Sequence, residues 1–387
     1  MLNRRAFLTR SLITTLLLLS GCSKSQNIFN VAFLKGTIPP QLINDFHKVI
    51  AKTDRIKLEP KITLQTIFEL LKNWQISEEQ KPESIVESLP VVGKGNKQQA
   101  NLITLGDFWL QDAISDGLIQ PLNTSSLTAW DSLPQVWHNL VKRDRQGYFS
   151  PQGEVYGAPY RYGNCVIAYR KDKLNWTPTD WSDLWREELK GRISLLDSYR
   201  EVIGLTLKKL GYSYNTDNLS KIDNLTSELQ KLHQQVKFYS SDKYLQPLVL
   251  GDTWLAIGWS TDILPVVKRY SNIAIAVPES GTSLWADLWV QPTKAQEDTV
   301  EESQNKILTT WIDFCWSLKS ARQILLFTNA LSPIFTEQNT QSIAKDLAQN
   351  SVLKDSLIAF NNSEFLLPLS PESTADYVDI WQKIRTA

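Results

Sequence analysis

The sequence contains little histidine, cysteine and methionine, and it has no excess of either charge. Its 387 residues include three histidines, three cysteines and one methionine, and 41 basic side chains balance 41 acidic ones. The histidines form no His-Glu-x-x-His pattern, and no Gly-x-Ser-x-Gly elbow occurs. The balanced charge excludes the basic excess that is typical of nucleic-acid-binding proteins. The sequence therefore predicts neither an enzyme nor a protein that carries a metal or another cofactor.

Long apolar runs are scarce as well. The run Leu12–Leu19, near the beginning of the chain, is far too short to cross a bilayer as a helix, which needs roughly 20 apolar residues. No other segment is apolar enough to span a membrane. The short run therefore indicates a processing signal and not a transmembrane helix.

The residues that flank this run are typical of an exported lipoprotein. Paired arginines precede it, as in a twin-arginine export signal, and Leu19–Cys22 (LSGC) ends it. This passage resembles the lipobox of bacterial lipoproteins, which implies cleavage before Cys22 and a diacylglyceryl group on its thiol. Residues 1–22 are expected to hold the signal peptide and the lipidated cysteine, and residues 23–27 a polar tether. An ordinary secretory signal with a chance cysteine is the alternative.

The length and the alternation of elements predict an α/β protein with two lobes. About 365 residues follow residue 22, which is more than one hydrophobic core usually holds. An apolar strand at Asn101–Leu105 ends at Gly106, and a helix begins at once with Asp107 as its cap. Strand, turn and helix recur in this way along the chain, which indicates mixed sheets flanked by helices.

The periodicity of the apolar residues predicts the individual elements. Strands are expected at Ile28–Leu34, Asn101–Leu105, Val166–Tyr169, Arg192–Leu196, Trp254–Trp259, Ile273–Val277 and Leu288–Gln291. Helices are expected at Gln41–Ala51, Leu64–Trp74, Glu201–Leu210, Leu219–Gln235, 260–270, 301–319, 320–328, 340–360 and 373–385.

Two cysteines follow Cys22, and the chain contains fourteen tryptophans. Cys165 and Cys315 lie in apolar runs, so each is predicted to be a buried free thiol, and a disulfide between them is the alternative in an oxidising compartment. Trp254, Trp289 and Trp316 are expected in the core. The number of tryptophans exceeds what a core usually recruits and indicates a pocket lined by aromatic rings.

Some tryptophans and acids occur where predicted strands give way to loops or helices, and ligand crevices form there in α/β sheets. Trp259 ends an apolar strand just before a helix. Trp285 and Asp287 are separated by one residue in a second strand, so their side chains leave the same face. Glu201 begins a helix after a third strand, where the helix dipole alone would also stabilise a carboxylate.

Together these four side chains have the chemistry of a site for an organic cation. An aromatic face attracts an ammonium group with roughly 0.5–2 kcal/mol according to burial, and methylene groups pack against the same rings. A carboxylate supplies the charge-assisted hydrogen bond that a desolvated amine requires. The sequence therefore predicts a small-molecule ligand. We also expect a monomer that has no nucleic acid as a partner.

Several passages resemble the spermidine/putrescine-binding proteins of ABC importers. Tyr156–Gly163 (YGAPYRYG) is similar to the Pro-Tyr-x-Trp-Gly passage of that family. Trp181–Trp185 (WSDLW), followed by Leu189–Arg192 (LKGR), is similar to its Trp-x-Asp-Leu-Trp and Lys-Gly stretch. Asp197–Val202 (DSYREV) is the closest passage. The likeness is densest over the middle of the chain.

The resemblance implies the two-lobed fold of a periplasmic binding protein, with a hinge between the lobes and a ligand enclosed between them. It also implies an ABC permease and its ATPase as partners, and a periplasmic location on the lipid anchor. By position, Glu201 and Asp287 would bind amine groups, and Trp259 and Trp285 would pack on the alkyl chain.

The family pattern is less complete outside these four positions. Ser198 stands where the family has an aspartate, and Gly106 and Phe108 stand where it has a serine and a tyrosine. Lys35 near the mouth of the site would repel an amine if its side chain points inward, and we expect Asp107 and Phe108 to compensate in part from the other side. The ligand-binding residues are thus predicted to include Ser198, Asp107 and Phe108 besides the four named above.

Each of the two lobes is expected to consist of two separate stretches of the chain. The first lobe is expected to comprise residues 28–165 and 286–331, and the second residues 166–285 and 332–387. The ligand is expected to be putrescine, spermidine or a similar small organic cation. The alternatives are a non-polyamine solute in the same role, such as an amino acid derivative or an organic anion, and an envelope lipoprotein without a transport role.

Overall fold

The computed structural model describes residues 28–51, 54–75, 99–293, 302–335, 340–348 and 351–386. The predicted signal peptide, Cys22 and the tether at residues 23–27 lie outside the described residues. None of the described helices combines the length and the apolar character needed to cross a bilayer.

Strands and helices alternate through the described ranges. In chain order the strands are β1 (Ile28–Leu34), β2 (Arg55–Lys61), β3 (Leu102–Gly106), β4 (Ile119–Gln120), β5 (Lys142–Arg143), β6 (Glu154–Val155), β7 (Ala158–Arg170), β8 (Ile193–Leu195), β9 (Val236–Tyr239), β10 (Leu255–Trp259), β11 (Ile273–Ala276), β12 (Ser283–Pro292) and β13 (Glu364–Phe365). The α-helices are α1 (Pro40–Phe46), α2 (Leu64–Gln75), α3 (Leu110–Ser115), α4 (Gln135–Val141), α5 (Tyr199–Lys209), α6 (Leu225–Gln235), α7 (Leu245–Leu250), α8 (Ser260–Arg269), α9 (Glu302–Cys315), α10 (Leu318–Thr328), α11 (Ala344–Ala348), α12 (Ser351–Ala359) and α13 (Pro371–Arg385).

Most of the strands form one mixed sheet, in the order β2-β1-β3-β12-β7-β10-β8-β9. Strand β1 is parallel to β2 and β3, whereas β12 is antiparallel to both β3 and β7. On the other side β7 is antiparallel to β10, and β10 is parallel to β8. The predicted class, mixed sheets flanked by helices, is confirmed.

The long strand β7 belongs to both halves of this sheet. Its residues Ala158–Asn164 pair with β12, and its residues Cys165–Arg170 pair with β10 and β11. The buried apolar side chains divide into two cores at the same place, because Tyr162 packs in the first core and Cys165 in the second. Strand β7 is therefore continuous and runs from the first core into the second.

The C-terminal part of the chain contributes to both cores. Phe335 and Leu353 pack in the first core, whereas Tyr377 and Ile384 pack in the second. The predicted boundaries assign all of residues 332–387 to the second lobe. We propose instead that the first lobe extends to about Phe365, the last of these residues with a buried side chain in the first core.

Most predicted elements are present with shifted ends, and the differences have local causes. The periodicity does not predict β2, in which Ile56 and Leu58 alternate with charged residues, as is common in an edge strand. The strands predicted at Val166–Tyr169 and Leu288–Gln291 are only parts of β7 and β12, since polar residues and glycine interrupt their apolar runs. The single helix expected over 340–360 is divided into a 3-10 turn, α11 and α12.

The buried thiols and most of the core tryptophans agree with expectation. Cys165 and Cys315 are both free and buried. Trp289 and Trp316 are buried in the first core, and the Trp316 indole donates to the carbonyl oxygen of Pro159 at 2.6 Å. Trp254 is half-buried and packs against the second core, and the Arg192 guanidinium group lies over it, 5.1 Å from its ring centroid.

Candidate ligand-binding site

One face of β7 and β12 carries several of the predicted site residues. Alternate residues of a strand project to the same face, so Ser283, Trp285 and Asp287 share one face of β12. In the antiparallel pair with β7, Trp285 stands opposite Gly163 and Asp287 stands opposite Arg161. Directly opposite residues also share a face. The ring of Trp285 and the carboxylate of Asp287 therefore lie on the side to which Arg161 projects.

Asp287 is bound by Arg161, which the sequence analysis does not single out. Arg161 Nε donates to Asp287 Oδ2 at 2.7 Å, and Nη2 lies 2.6 Å from the same oxygen. The two side chains are only 9% and 2% exposed. Burial lowers the pKa of Arg161 and the charge of Asp287 raises it, with a net upward shift, so the guanidinium group stays protonated. The available signal was an arginine at the variable position of the Pro-Tyr-x-Trp-Gly passage.

The ring of Trp285 lies close to both Arg161 and Gly163. Arg161 Cζ is 5.2 Å from the ring centroid. A Cβ atom at Gly163 would lie 2.5 Å from Trp285 Cζ2 and 2.9 Å from Ser260 Oγ, closer than packed atoms approach. The glycine is therefore required here for the close approach of the indole to the strand.

Asp107 reaches the same face from the end of β3. It begins a 3-10 turn over Asp107–Trp109, and its Oδ1 accepts a hydrogen bond from the backbone nitrogen of Ala286 at 3.1 Å. Burial raises the pKa of Asp107 to about 7; the charge of Asp287 also raises it, and Arg143 opposes the shift. At neutral pH this carboxyl group is therefore about half-ionised.

Phe108, the next residue, makes less contact with the chain. Its side chain is 60% exposed, and its ring meets the edge of Trp109 with centroids 5.4 Å apart. An exposed aromatic side chain beside Asp107 is available for contact with a solute, and its role as a ligand residue stays a prediction.

Ser198 and Glu201 meet at the beginning of α5. Ser198 is the N-cap of this helix, because its Oγ accepts a hydrogen bond from the backbone nitrogen of Glu201 at 3.4 Å. The buried Glu201 carboxylate accepts a hydrogen bond from Ser283 Oγ at 2.6 Å, which ties it to the face of β12. Burial raises the pKa of Glu201, and the Ser283 hydrogen bond and the charge of Arg200 partly offset this shift.

Trp259 ends β10 on the other side of β7. It stands opposite Cys165, which lies two residues beyond Gly163 and hence on the same face. The Tyr244 hydroxyl accepts a hydrogen bond from the Trp259 backbone nitrogen at 3.2 Å and donates to Asp262 Oδ2 at 3.1 Å. The two aromatic rings meet edge-on, with centroids 6.0 Å apart.

Asp262 is a second residue that the sequence analysis missed, since it was interpreted only as part of a helix-capping run. The residue retains exposure at the surface, yet desolvation of its carboxyl group raises its pKa. The Tyr244 hydrogen bond and the charge of Arg161 act in the opposite direction. Asp262 is connected to the backbone of Trp259 through the Tyr244 hydroxyl group, which bonds to both residues.

The structure thus brings the predicted residues together to different degrees. Trp285, Asp287 and Asp107 lie beside one another at the junction of β3, β12 and β7. Glu201 joins them through Ser283, and Trp259 lies across β7. Their contact with a ligand stays a prediction. Within the described ranges no cluster of three or more His, Cys, Asp or Glu side chains could hold a metal ion.

Aromatic rings and carboxylates gathered where one strand passes between two cores are typical of a two-lobed ligand-binding protein. Comparison with known proteins agrees. The model of the bacterial extracellular solute-binding protein family matches residues 97–358, which is more than half of the chain. The chain therefore belongs to this family of extracellular solute-binding proteins.

Individual relatives support the same assignment. The chain is 29% identical over 197 residues to the spermidine/putrescine-binding periplasmic protein of Salmonella typhimurium, covering 51% of this chain and 54% of the relative. It is 23% identical over 272 residues to spermidine/putrescine-binding periplasmic protein 1 of Haemophilus influenzae, covering 70% of this chain and 71% of the relative. The match thus spans about half the length of the first of these relatives.

The fold is shared with solved structures. The substrate-binding protein PotD of a spermidine/putrescine ABC transporter from Streptococcus pneumoniae superimposes with a TM-score of 0.73 at 17% identity. The superposition covers 93% of this chain and 99% of that protein. The predicted two-lobed periplasmic-binding-protein fold is therefore confirmed.

Proposed function

We propose that this chain is the solute-binding component of an ABC importer and that it captures a small organic amine between its two lobes. It would act in the periplasm and deliver the solute to a membrane permease with its ATPase. Membership of the solute-binding family supports the role, and the names of the relatives, which bind spermidine and putrescine, support an amine.

The observation that carries the amine assignment is that several carboxylates lie around an aromatic ring along one strand face. Glu201 is hydrogen-bonded to one end of this face, Trp285 lies in the middle and Asp287 lies beyond it. The Cα atoms of Ser283, which binds Glu201, and of Asp287 are about 13 Å apart, given the rise of a strand. Asp107 adds a carboxylate next to Asp287 through its bond to Ala286, and Asp262 adds one near Trp259 through Tyr244. Such a surface attracts an ammonium group and packs its methylene chain.

The proposed site has residues on elements of both cores, so ligand binding would be coupled to the arrangement of the two lobes. Trp285 and Asp287 lie on a strand whose apolar neighbours belong to the first core, whereas Trp259 and Glu201 lie on elements of the second. A solute that contacts both sets stabilises the arrangement in which the lobes approach each other. A permease can then distinguish the loaded protein from the empty one.

The lipid anchor is part of the same proposal, and it depends on residues outside the described ranges. Cys22 follows a short apolar run and ends a passage similar to a lipobox. Mass spectrometry of the N-terminal peptide from the membrane fraction should detect a diacylglyceryl group on Cys22. Cys22→Ser should move the protein to the soluble periplasmic fraction, and unchanged membrane association would contradict the anchor.

Isothermal titration of the purified protein tests the ligand class. The panel comprises putrescine, spermidine, butylamine, neutral amino acids and organic acids. Binding of at least one amine, with no heat from organic acids, is the expected result. Binding of an organic acid in preference to every amine would refute the amine assignment and leave the role of solute-binding component intact.

A further inference from the structure

We propose that Arg161 is a built-in cation that takes the place of one ligand ammonium group, so that the site binds monoamines and discriminates against diamines. The inference rests on the proposed function, since it specifies which amines the site accepts. It follows from the groups that Arg161 contacts, from its burial and from the partners of the neighbouring carboxylates.

The contacts of Arg161 are those that an organic ammonium ion would seek. A carboxylate and an aromatic face are the two groups that recognise such a cation. Here the guanidinium group donates to Asp287 at 2.7 Å and lies 5.2 Å from the ring centroid of Trp285. The protein's own side chain therefore occupies both partners at this end of the site.

The pairing is built into the register of the sheet. Arg161 and Asp287 stand directly opposite each other in the antiparallel pair of β7 and β12. Both side chains are almost fully buried. A solute could displace the guanidinium group only by leaving a charge buried without its partner, which is strongly unfavourable. We therefore treat the pair as permanent during ligand binding.

The other carboxylates near this pair are bound differently. Asp107, Asp262 and Glu201 accept hydrogen bonds from neutral donors, namely the backbone nitrogen of Ala286 and the hydroxyl groups of Tyr244 and Ser283. Asp287 is the carboxylate of this group that a guanidinium group contacts. Arg161 therefore removes one carboxylate from those that could hold a second ammonium group.

Butylamine and putrescine share a four-carbon chain and differ by one amine group, so their affinities for the unmodified protein test the proposal. Titrations at pH 8, where Asp107 is ionised, compare butylamine with putrescine. We expect butylamine to bind at least as tightly as putrescine. A second charge-assisted hydrogen bond would favour putrescine by at least about tenfold, so a preference of that size overturns the proposal. Tighter binding of 4-aminobutanoate than of butylamine also overturns it, because Arg161 would then bind a ligand anion.

Arg161→Met tests the same point by freeing Asp287. The variant should gain at least about tenfold in putrescine affinity, with little change for butylamine. Arg161→Met combined with Asp287→Asn should lose this gain. The matched control is Arg170→Met, at the end of the same strand, where the guanidinium group pairs with Asp172 and not with the site. Equal gains in both arginine variants contradict the proposal.

Failure of the proposed function is distinguishable from failure of this inference. If the unmodified protein binds no amine, the amine function falls, and acquisition of putrescine binding by Arg161→Met still supports the role of Arg161. If Arg161→Met does not fold alone, 10 mM putrescine should restore its thermal transition by replacing the lost cation. A variant that neither binds putrescine nor is restored by it overturns the inference.

Discussion

Replacing Asp287 with alanine leaves the Arg161 guanidinium group without the carboxylate that it contacts at 2.6 and 2.7 Å. The charge stays buried, because the side chain of Arg161 is only 9% exposed. Removal of one partner of a buried ion pair lowers the free energy of unfolding by about 3–5 kcal/mol. The Arg161–Trp285 contact offsets little of this loss, since a cation over an aromatic ring contributes about 0.5–2 kcal/mol and is already present.

The matched control is Asp172→Ala on the pair with Arg170, another arginine of β7. Its ion pair is 2.8 Å long, but the side chain of Asp172 is 41% exposed. Exposed pairs contribute about 0–1 kcal/mol, so this control should be nearly neutral. Urea unfolding followed by tryptophan fluorescence measures both variants. Each transition is compared by its own midpoint and slope, because the two cores can unfold separately.

The double variant Arg161→Met with Asp287→Leu completes the test. It removes both charges and keeps apolar volume, so it should lose less stability than Asp287→Ala alone. A loss of unfolding free energy below about 1 kcal/mol for Asp287→Ala would be no larger than that of the exposed control. It would show that Arg161 binds another group or water when Asp287 is absent. The Arg161–Asp287 pair would then not define this end of the site.

The remaining predictions concern the neighbouring residues Gly163, Asp107 and Trp259. Gly163→Ala should lower the free energy of unfolding by about 1–3 kcal/mol, because its Cβ would collide with Trp285 Cζ2. The control is Gly157→Ala, whose Cβ would have its nearest contact at 3.3 Å. Thermal unfolding should show a larger loss of stability for Gly163→Ala than for this control. Amine affinity should rise about tenfold from pH 6 to pH 8, because Asp107, whose pKa is raised to about 7, ionises over this range. Calorimetry of Asp107→Asn should show no such rise. The same raised pKa makes unfolding release a proton between about pH 4 and pH 7, so the contribution of Asp107 to stability is present at low pH and is lost as the pH rises through 7. Trp259→Ala should weaken amine binding and remove the ligand-induced change in tryptophan fluorescence, and an unchanged response would assign that signal to another ring.

Several predicted site residues also have structural roles, which explains why their chemistry was visible in the sequence. Ser198 caps α5, and Glu201 lies in the first turn of that helix, where the dipole stabilises its charge. Glu201 also accepts a hydrogen bond from Ser283. The structural and the ligand-binding interpretations of these residues are therefore compatible, because the cap holds the carboxylate beside β12.

The secondary structure was predictable where apolar residues repeat without interruption. The first strand, Ile28–Leu34, and the helix at Leu64–Gln75 fall at or within one residue of the expected positions. The beginning of β7 could not be predicted from periodicity. Pro159, Arg161 and Gly163 break its apolar pattern, and only pairing with β12 makes the segment extended.

The alternation of side chains along one strand is a local property, so the sequence by itself determined that Trp285 and Asp287 share a face. It also determined, through the order of strands and helices, the class of the fold. The tertiary structure alone decided which cation meets Asp287, because Arg161 lies 126 residues earlier in the chain. Such a contact depends on the register between β7 and β12, and a shift of one residue would turn Arg161 to the other face.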